Sequence, residues 1–281
     1  MAPRRGGREP RSAQWSRRKL LVLLVMAALT VAVLMAGLVL AVVHTVAPTG
    51  DGDDVSGSVV SATGPATDAD PTGTLPAAEA RDALAARRMP EVPTSASRPA
   101  PLSNRDSGPP IVLPRATHTG PAGVPTGFPH TPEGAMAQLA AIDQVALESG
   151  SLAGARDVIV AWAMPGGPTT TSWSGVRAMS TLLDATGQSG GGSPQLVVVL
   201  TPLMGMIKGS VGPDFVVPCV DFEMDVTLQQ TARGAVADCQ RMVWHSGRWM
   251  IGPGEEPVTP PSVWPGTDVA IGVGYRELRR G

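Results

Sequence analysis

The chain has 281 residues and a formal net charge of −2, enough length for one or two ordinary domains. The near-neutral total hides an uneven layout: Arg4, Arg5, Arg8, Arg11, Arg17, Arg18 and Lys19 crowd the first nineteen residues against Glu9 alone, so the remainder is acidic on balance. Two cysteines, with no CxxC and no Cys/His ligand spacing, give no zinc-finger or redox pattern.

The basic tail, residues 1–19, abuts Leu20–Val43, an uncharged run of 24 residues in which Thr30 is the only polar side chain. At 1.5 Å per residue about 20 residues cross a hydrocarbon core, so residues 20–43 are expected to be a transmembrane helix. A cleaved signal peptide is the alternative, but its apolar region is usually only about 7–15 residues. The first charges after the run are Asp51, Asp53 and Asp54. The positive-inside rule then places the N-terminus in the cytoplasm and the C-terminal mass outside the cell membrane. Topology and anionic lipid account for the basic tail, so membrane lipid is an expected partner and nucleic acid is not.

Residues 44–127 carry recurrent prolines among Ser, Thr, Ala, Gly and Asp, without sustained periodicity. Such a segment buries too little apolar surface to offset its ordering entropy, and a disordered, semi-rigid linker with polyproline II character is expected. Pro76–Met89 has helix formers behind a first-turn proline and is read as a transient helix within that tether.

A folded domain is expected over 128–281. Thr131-Pro132-Glu133 is a helix start, with a capping hydroxyl, a first-turn proline and an acid at the positive end of the dipole. Met136, Leu139, Ala140, Val145 and Leu147 give a partial helical stripe ending at Gly150. A second helix begins at Ser151 and stops at Pro165-Gly166-Gly167, and a third runs from about Ser172 to Ala185 and ends at Gly187. Gln195–Ile207 then reads as a strand with Pro202 and Gly205 as bulge or bend positions. Val220, Phe222, Met224, Val226 and Leu228 alternate with Asp221, Glu223, Asp225 and Thr227, the pattern of a strand with one face on a core and the other in water. A polar turn over 229–234, a strand Ala235–Trp244, a tight turn His245-Ser246-Gly247 and a strand Arg248–Ile251 follow. Val269, Ile271 and Leu278 suggest a short closing helix. Helices followed by an antiparallel meander make an α+β fold with the helices on one face of the sheet.

Cys219 and Cys239 flank the 229–234 turn on polar faces of neighbouring strands, in a compartment that permits disulfides, and a bridge between them is expected over two free thiols. That pairing requires the turn to be centred on residue 229. His130 and His245 sit at element edges, His245 as a solvated turn residue. Asp221, Glu223 and Asp225 could form a paired-carboxylate site, but their alternation reads as a charged outer face that discourages edge aggregation. Gly190-Gly191-Gly192 lacks the flanking strand and helix of a phosphate loop, and no nucleophile set, HExxH or Walker loop is present. Trp244, Trp249 and Trp264 lie close in sequence and could form an interaction hot spot or line a cavity; aromatics so placed are more often core. No catalytic residues, cofactor or metal site are expected.

The segments GFPHTPEGA (127–135), ADCQRMVWHSGRWMIGPG (237–254) and PSVWPGTDVAIGVGYREL (261–278) resemble a family of actinobacterial single-pass membrane proteins of unassigned function, and the Arg-rich, Lys-poor composition fits such a source. The plan of helices before a curved antiparallel sheet resembles the nuclear-transport-factor-two-like (cystatin-like) cone. Behind a cytoplasmic tail and one span, it resembles the bitopic assembly components of conjugative and type IV secretion machines, and also Mce-associated membrane proteins. The resemblance implies a non-enzymatic, membrane-anchored scaffold with other membrane or envelope proteins as partners, its oligomeric state open. The alternative is a small-molecule-binding or enzymatic cone domain, which a polar pair pointing into the cavity of the cone would favour; pattern alone reveals no such pair.

Overall fold

The computed structural model describes residues 76–281. The basic tail, the apolar run Leu20–Val43 and the linker as far as residue 75 lie outside the described residues, and among those described no helix is long and apolar enough to cross a membrane.

In chain order come α1 (Ala77–Ala86), β1 (Ile111–Leu113), the short hairpin β2 (His118–Thr119) and β3 (Pro125–Thr126), then the helices α2 (Pro132–Glu148), α3 (Leu152–Trp162) and α4 (Ser174–Ala185). The strands β4 (Val197–Ser210), β5 (Phe215–Thr227), β6 (Thr231–Cys239), β7 (Met242–His245) and β8 (Arg248–Ile251) follow, and α5 (Asp268–Val273) and β9 (Arg276–Arg280) close the chain. The sheet runs β1-β9-β4-β5-β7-β8, with β6 also on β5; it is antiparallel apart from the β1–β9 pair. It curls into a half-barrel with helices packed against it, the expected α+β class.

The helix starts follow the predicted capping chemistry. Thr131 Oγ1 accepts the N–H of Gly134 at 3.1 Å, with Pro132 in the first turn, and Ser151 Oγ accepts the N–H of Gly154 at 3.1 Å. α2 is buried on nearly every side, its Ala135, Met136, Leu139 and Ile142 inside the main core. Where it crosses the sheet the backbone comes so close that a Cβ on Gly205 would lie 3.1 Å from Met136 Sδ and 2.9 Å from the Cys219 carbonyl, so only glycine fits.

Prolines mark two of the irregularities of the sheet. Pro202 has no N–H to give the ladder, and the β4–β5 register shifts between Pro202 and Met204. The extra residue exchanges the two faces. Val198 and Leu200 belong to the core under the helices, whereas Met204 and Met206 belong to a second cluster on the other side. A second shift, between Ile207 and Gly209, falls beyond Gly205, the other expected bend. The expected strand Ala235–Trp244 is split in two, and its first part begins earlier, at Thr231. β6 and β7 share one register on β5, Cys219↔Cys239 continuing as Val216↔Met242, and the gap lies opposite Pro218, which again cannot donate.

The period-two reading of β5 holds for one face and fails for the other. Val220, Phe222 and Val226 are buried under the helices as expected. The alternate face is not solvated along its length: Cys219 and Asp221 are fully buried, and only towards Glu223 and Asp225 does water return. Val263, Ala270, Val273 and Tyr275, with Met89, Val92 and Ala96, cover this second face.

The last three of these belong to the segment expected to be a disordered linker, and this is the main difference from the sequence reading. From residue 76 to 127 the chain forms α1, a turn of 3-10 helix at Thr94–Ser97, β1 and the β2–β3 hairpin. Lys208 Nζ caps the end of α1 by donating to the carbonyls of Ala85 and Arg87, at 3.1 and 2.6 Å. Arg241 Nη2 reaches Asp82 Oδ1 at 2.7 Å, and the Trp264 N–H donates to the Ala96 carbonyl at 2.7 Å. The few apolar residues of this stretch have no periodicity of their own because they pack singly against a sheet supplied by the later chain. The closing helix also differs: α5 ends at Gly274, in the left-handed region at φ 102°, and Leu278 lies in β9.

Candidate functional site

The polar groups that converge inside the fold come from four places. Asp143 projects from α2, Ser174 opens α4, Asp238 lies at the end of β6 with Gln240 just past it, and Glu256 lies beyond β8. The first turn of α4 has no side-chain cap of its own; Glu256 supplies one, its Oε1 accepting the Ser174 N–H at 2.9 Å and the Ser174 hydroxyl at 2.6 Å. A carboxylate at the positive end of a helix is a favourable placement, and Arg177 Nη2 adds an ion pair to Glu256 Oε2 at 3.1 Å. Gln240 Nε2 lies 2.8 Å from Asp238 Oδ2, 3.0 Å from Glu256 Oε1 and 3.0 Å from Ser174 Oγ.

Asp143 differs from the others. It is 4% exposed, and its Oδ2 has no hydrogen-bond partner. With Asp238 and Ser174 it lines a cavity of about 70 Å³ between the helices and the sheet, whose remaining walls include Leu147, Ala178 and Phe222. Burial first, then the neighbouring charges of Asp238 and Glu256, hold the Asp143 carboxyl well above the usual carboxylate range. Burial pushes Asp238 up to about 7; its hydrogen bonds from Gln240 and Ser174 oppose the shift, and Glu256 adds to it. The pair can therefore hold a proton near neutrality, which is the chemistry of a general acid and base or of a cation receptor. Ser174 has only carboxylates and an amide around its hydroxyl in these contacts, so it serves as a donor that positions Asp238 and Glu256.

Two signals for this site were present in the sequence. Asp143 stands on the stripe Met136, Leu139, Ala140, Leu147, at a spacing that faces the core. Asp238 stands two residues after Val236 and alternates with Cys239, and the structure pairs it with Val220, on the helix side of the sheet.

The residues singled out from the sequence do not form one site. A disulfide joins Cys219 and Cys239, which are directly opposite in the β5–β6 register, and the hairpin is centred on residue 229 as the pairing required. Trp244 and Trp249 pair across the β7–β8 hairpin, 5.4 Å apart and edge to face, on the helix side. His130 stacks on Trp244 at 4.4 Å and bonds Asp214 through Nε2 at 2.8 Å. Trp264 lies apart from them, beneath Arg233 at 5.4 Å. Glu223 and Asp225 both pair with Arg233, which fits a charged outer face, whereas Asp221 is buried and does not join them. His245 is exposed at the hairpin turn. Among the described residues no group of three or more His, Cys, Asp or Glu is placed to hold a metal ion.

Comparison with protein families, with curated proteins and with solved structures gives no match.

Proposed function

We propose that this chain is a membrane-anchored scaffold or assembly component of an envelope-spanning machine, of the conjugative or type IV secretion kind, with its folded domain outside the cell membrane. The observation that carries the reading is the Cys219–Cys239 disulfide in a chain whose uncharged run Leu20–Val43 follows a basic tail. Disulfides persist in oxidising compartments, and the charge asymmetry puts the C-terminal domain there. Helices on a curled antiparallel sheet fit a cystatin-like cone of the sort these bitopic components carry. In intact cells a thiol reagent that cannot cross membranes is expected to label Ser56→Cys and not Ser12→Cys. In mild-detergent extracts the full-length chain is expected to migrate in a discrete assembly containing a second membrane-spanning protein. Labelling at Ser12→Cys alone, or migration as a free monomer, contradicts the proposal.

A second reading, a domain that binds a small molecule within its cone, is favoured by the polar pair Asp143 and Asp238 at one cavity. The two readings are compatible, since a ligand inside the fold leaves the outer surface available for assembly.

A further inference from the structure

The cavity beside α4 is short of positive charge. Glu256 has Arg177 and the first turn of α4 as partners. Asp238 has only neutral donors, Ser174 Oγ at 3.0 Å, Gln240 Nε2 at 2.8 Å and the Cys239 backbone N–H, and Asp143 Oδ2 has none. No basic side chain is among the groups lining the cavity. A carboxyl oxygen left without a partner in an apolar wall is costly, and a ligand that supplies donors and a positive charge removes that cost. A metal ion does not fit the donor set. The volume of about 70 Å³ corresponds to a handful of waters, at roughly 10–15 Å³ for each, or to a cation of about five heavy atoms. Leu147, Phe222 and Ala178 offer apolar contact for a short alkyl stem, and Ala178, exposed, marks where the cavity meets the surface.

We infer that the cavity is a binding site for a small organic cation, a primary ammonium or guanidinium group whose N–H donors are shared between the Asp143 and Asp238 carboxylates. This rests on the reading of the cone as a ligand-binding domain and names the chemical class of its ligand. The groups that face Asp143 are Asp238 from β6 and Glu256 from the segment after β8, with Arg177 of α4 turned to Glu256. With two other carboxyls near it and no cation of its own, Asp143 holds its proton in the empty site. A bound cation ionises it, and the proton leaves to solvent. Binding therefore strengthens as pH rises, and proton release is a signature that a hydration site or a purely structural carboxyl lacks.

The test uses the full-length chain in a non-ionic detergent, titrated calorimetrically with ethylammonium and guanidinium, and with ethanol and acetamide as neutral probes of similar size. Phosphate and cacodylate serve as the two buffers, so that no amine buffer competes for the site. Expected are binding of the cations and not of the neutral probes, heats that differ between the buffers because a proton is released, and affinity that increases from pH 6 to pH 8. Asp143→Asn and Asp238→Asn should each weaken binding about tenfold or more and reduce the proton release, with unchanged circular dichroism as the check on folding. Nα-acetyl-lysine methylamide distinguishes a free amine from a partner's lysine side chain: tighter binding than ethylammonium points to the side chain, weaker binding to the free amine. Equal binding of neutral and charged probes, insensitive to Asp143→Asn, overturns the cation assignment while leaving a ligand-binding cone in place. No binding of any probe at 10-millimolar order concentration overturns both.

Discussion

Asp221 accepts the backbone N–H of Val263 at 3.3 Å, and both residues are completely closed to water. The contact ties the middle of β5 to the segment that crosses behind the sheet, and it does so through a carboxyl whose Oδ2 has no partner. Burial pushes Asp221 up to about 8, against the opposing hydrogen bond from Val263.

Stability should consequently fall as pH rises. A carboxyl near 8 in the folded chain and near 3.9 in the unfolded chain binds more protons when folded between those values, so ∂ΔG/∂pH of unfolding is negative there. Its contribution is fully present at acid pH, declines as pH rises towards the folded value and is gone above it. Asp143 and Asp238, both raised, act in the same sense. Urea unfolding of the intact protein between pH 5 and 9 should show this decline, and Asp221→Asn should flatten it and gain on the order of 5 kcal/mol at pH 9. A wild-type curve that rises over this range would contradict the burial of an ionisable Asp221.

Three neighbouring positions on β5 should respond in three ways. Phe222→Ala should cost about 3–5 kcal/mol, as expected for a fully buried aromatic under the helices. Glu223→Lys, which loses a partly solvated pair with Arg233, should cost about 1 kcal/mol. Asp221→Lys should be as damaging as the core change, since it forces a charge into the second cluster. If Asp221→Lys were as mild as Glu223→Lys in chemical denaturation, the second face of the strand would have to be open to water.

The disulfide should be a stability element rather than a reactive centre. Cys219 and Cys239 are buried, in register and 20 residues apart in sequence. Closing such a loop stabilises by about 3 kcal/mol in the chain-entropy account. The intact protein should resist alkylation until a reductant and denaturant are both present. Cys219→Ala with Cys239→Ala should lower the unfolding midpoint without changing the circular dichroism spectrum. Rapid alkylation of the native, unreduced chain would refute the bridge.

The stretch from residue 76 to 98 should behave as part of the domain. Met89, Val92 and Ala96 pack on the second cluster, and Arg87 is tied to Lys208 through both its carbonyl and its guanidinium. Trypsin should cut after Arg87 and Arg88 only when the domain unfolds, and Met89→Ala should cost about 1–2 kcal/mol, at the low end for a partly buried methionine. Early cleavage at these arginines in native buffer, with no cost for Met89→Ala, would return this stretch to a tether.

What the sequence determined by itself is local. The caps at Thr131 and Ser151, the core face of β5 and the His245-Ser246-Gly247 turn follow from spacing and turn chemistry within a few residues, whereas the polar stretch 229–234 left the centre of its turn open, and the register of Cys219 with Cys239 was decided by β6 starting at Thr231. Even Pro202 announced its bulge, because the missing N–H is a property of the residue. The tertiary structure decided which surfaces meet. Asp221, Glu223 and Asp225 have the same period and charge, yet only Asp221 is covered, because Val263 and Tyr275 return more than forty residues later to lie on it. The segment after residue 76 has too few apolar groups to fold alone, and its order comes from a sheet made by the later chain. The cavity followed the same logic. An acid on the apolar stripe of α2 and another on the core face of β6 are each visible as local exceptions, but only the curl of the sheet around α2 brings Asp143 and Asp238 to one space. Periodicity reports the face on which a side chain stands; what stands opposite it depends on contacts between residues far apart in the chain.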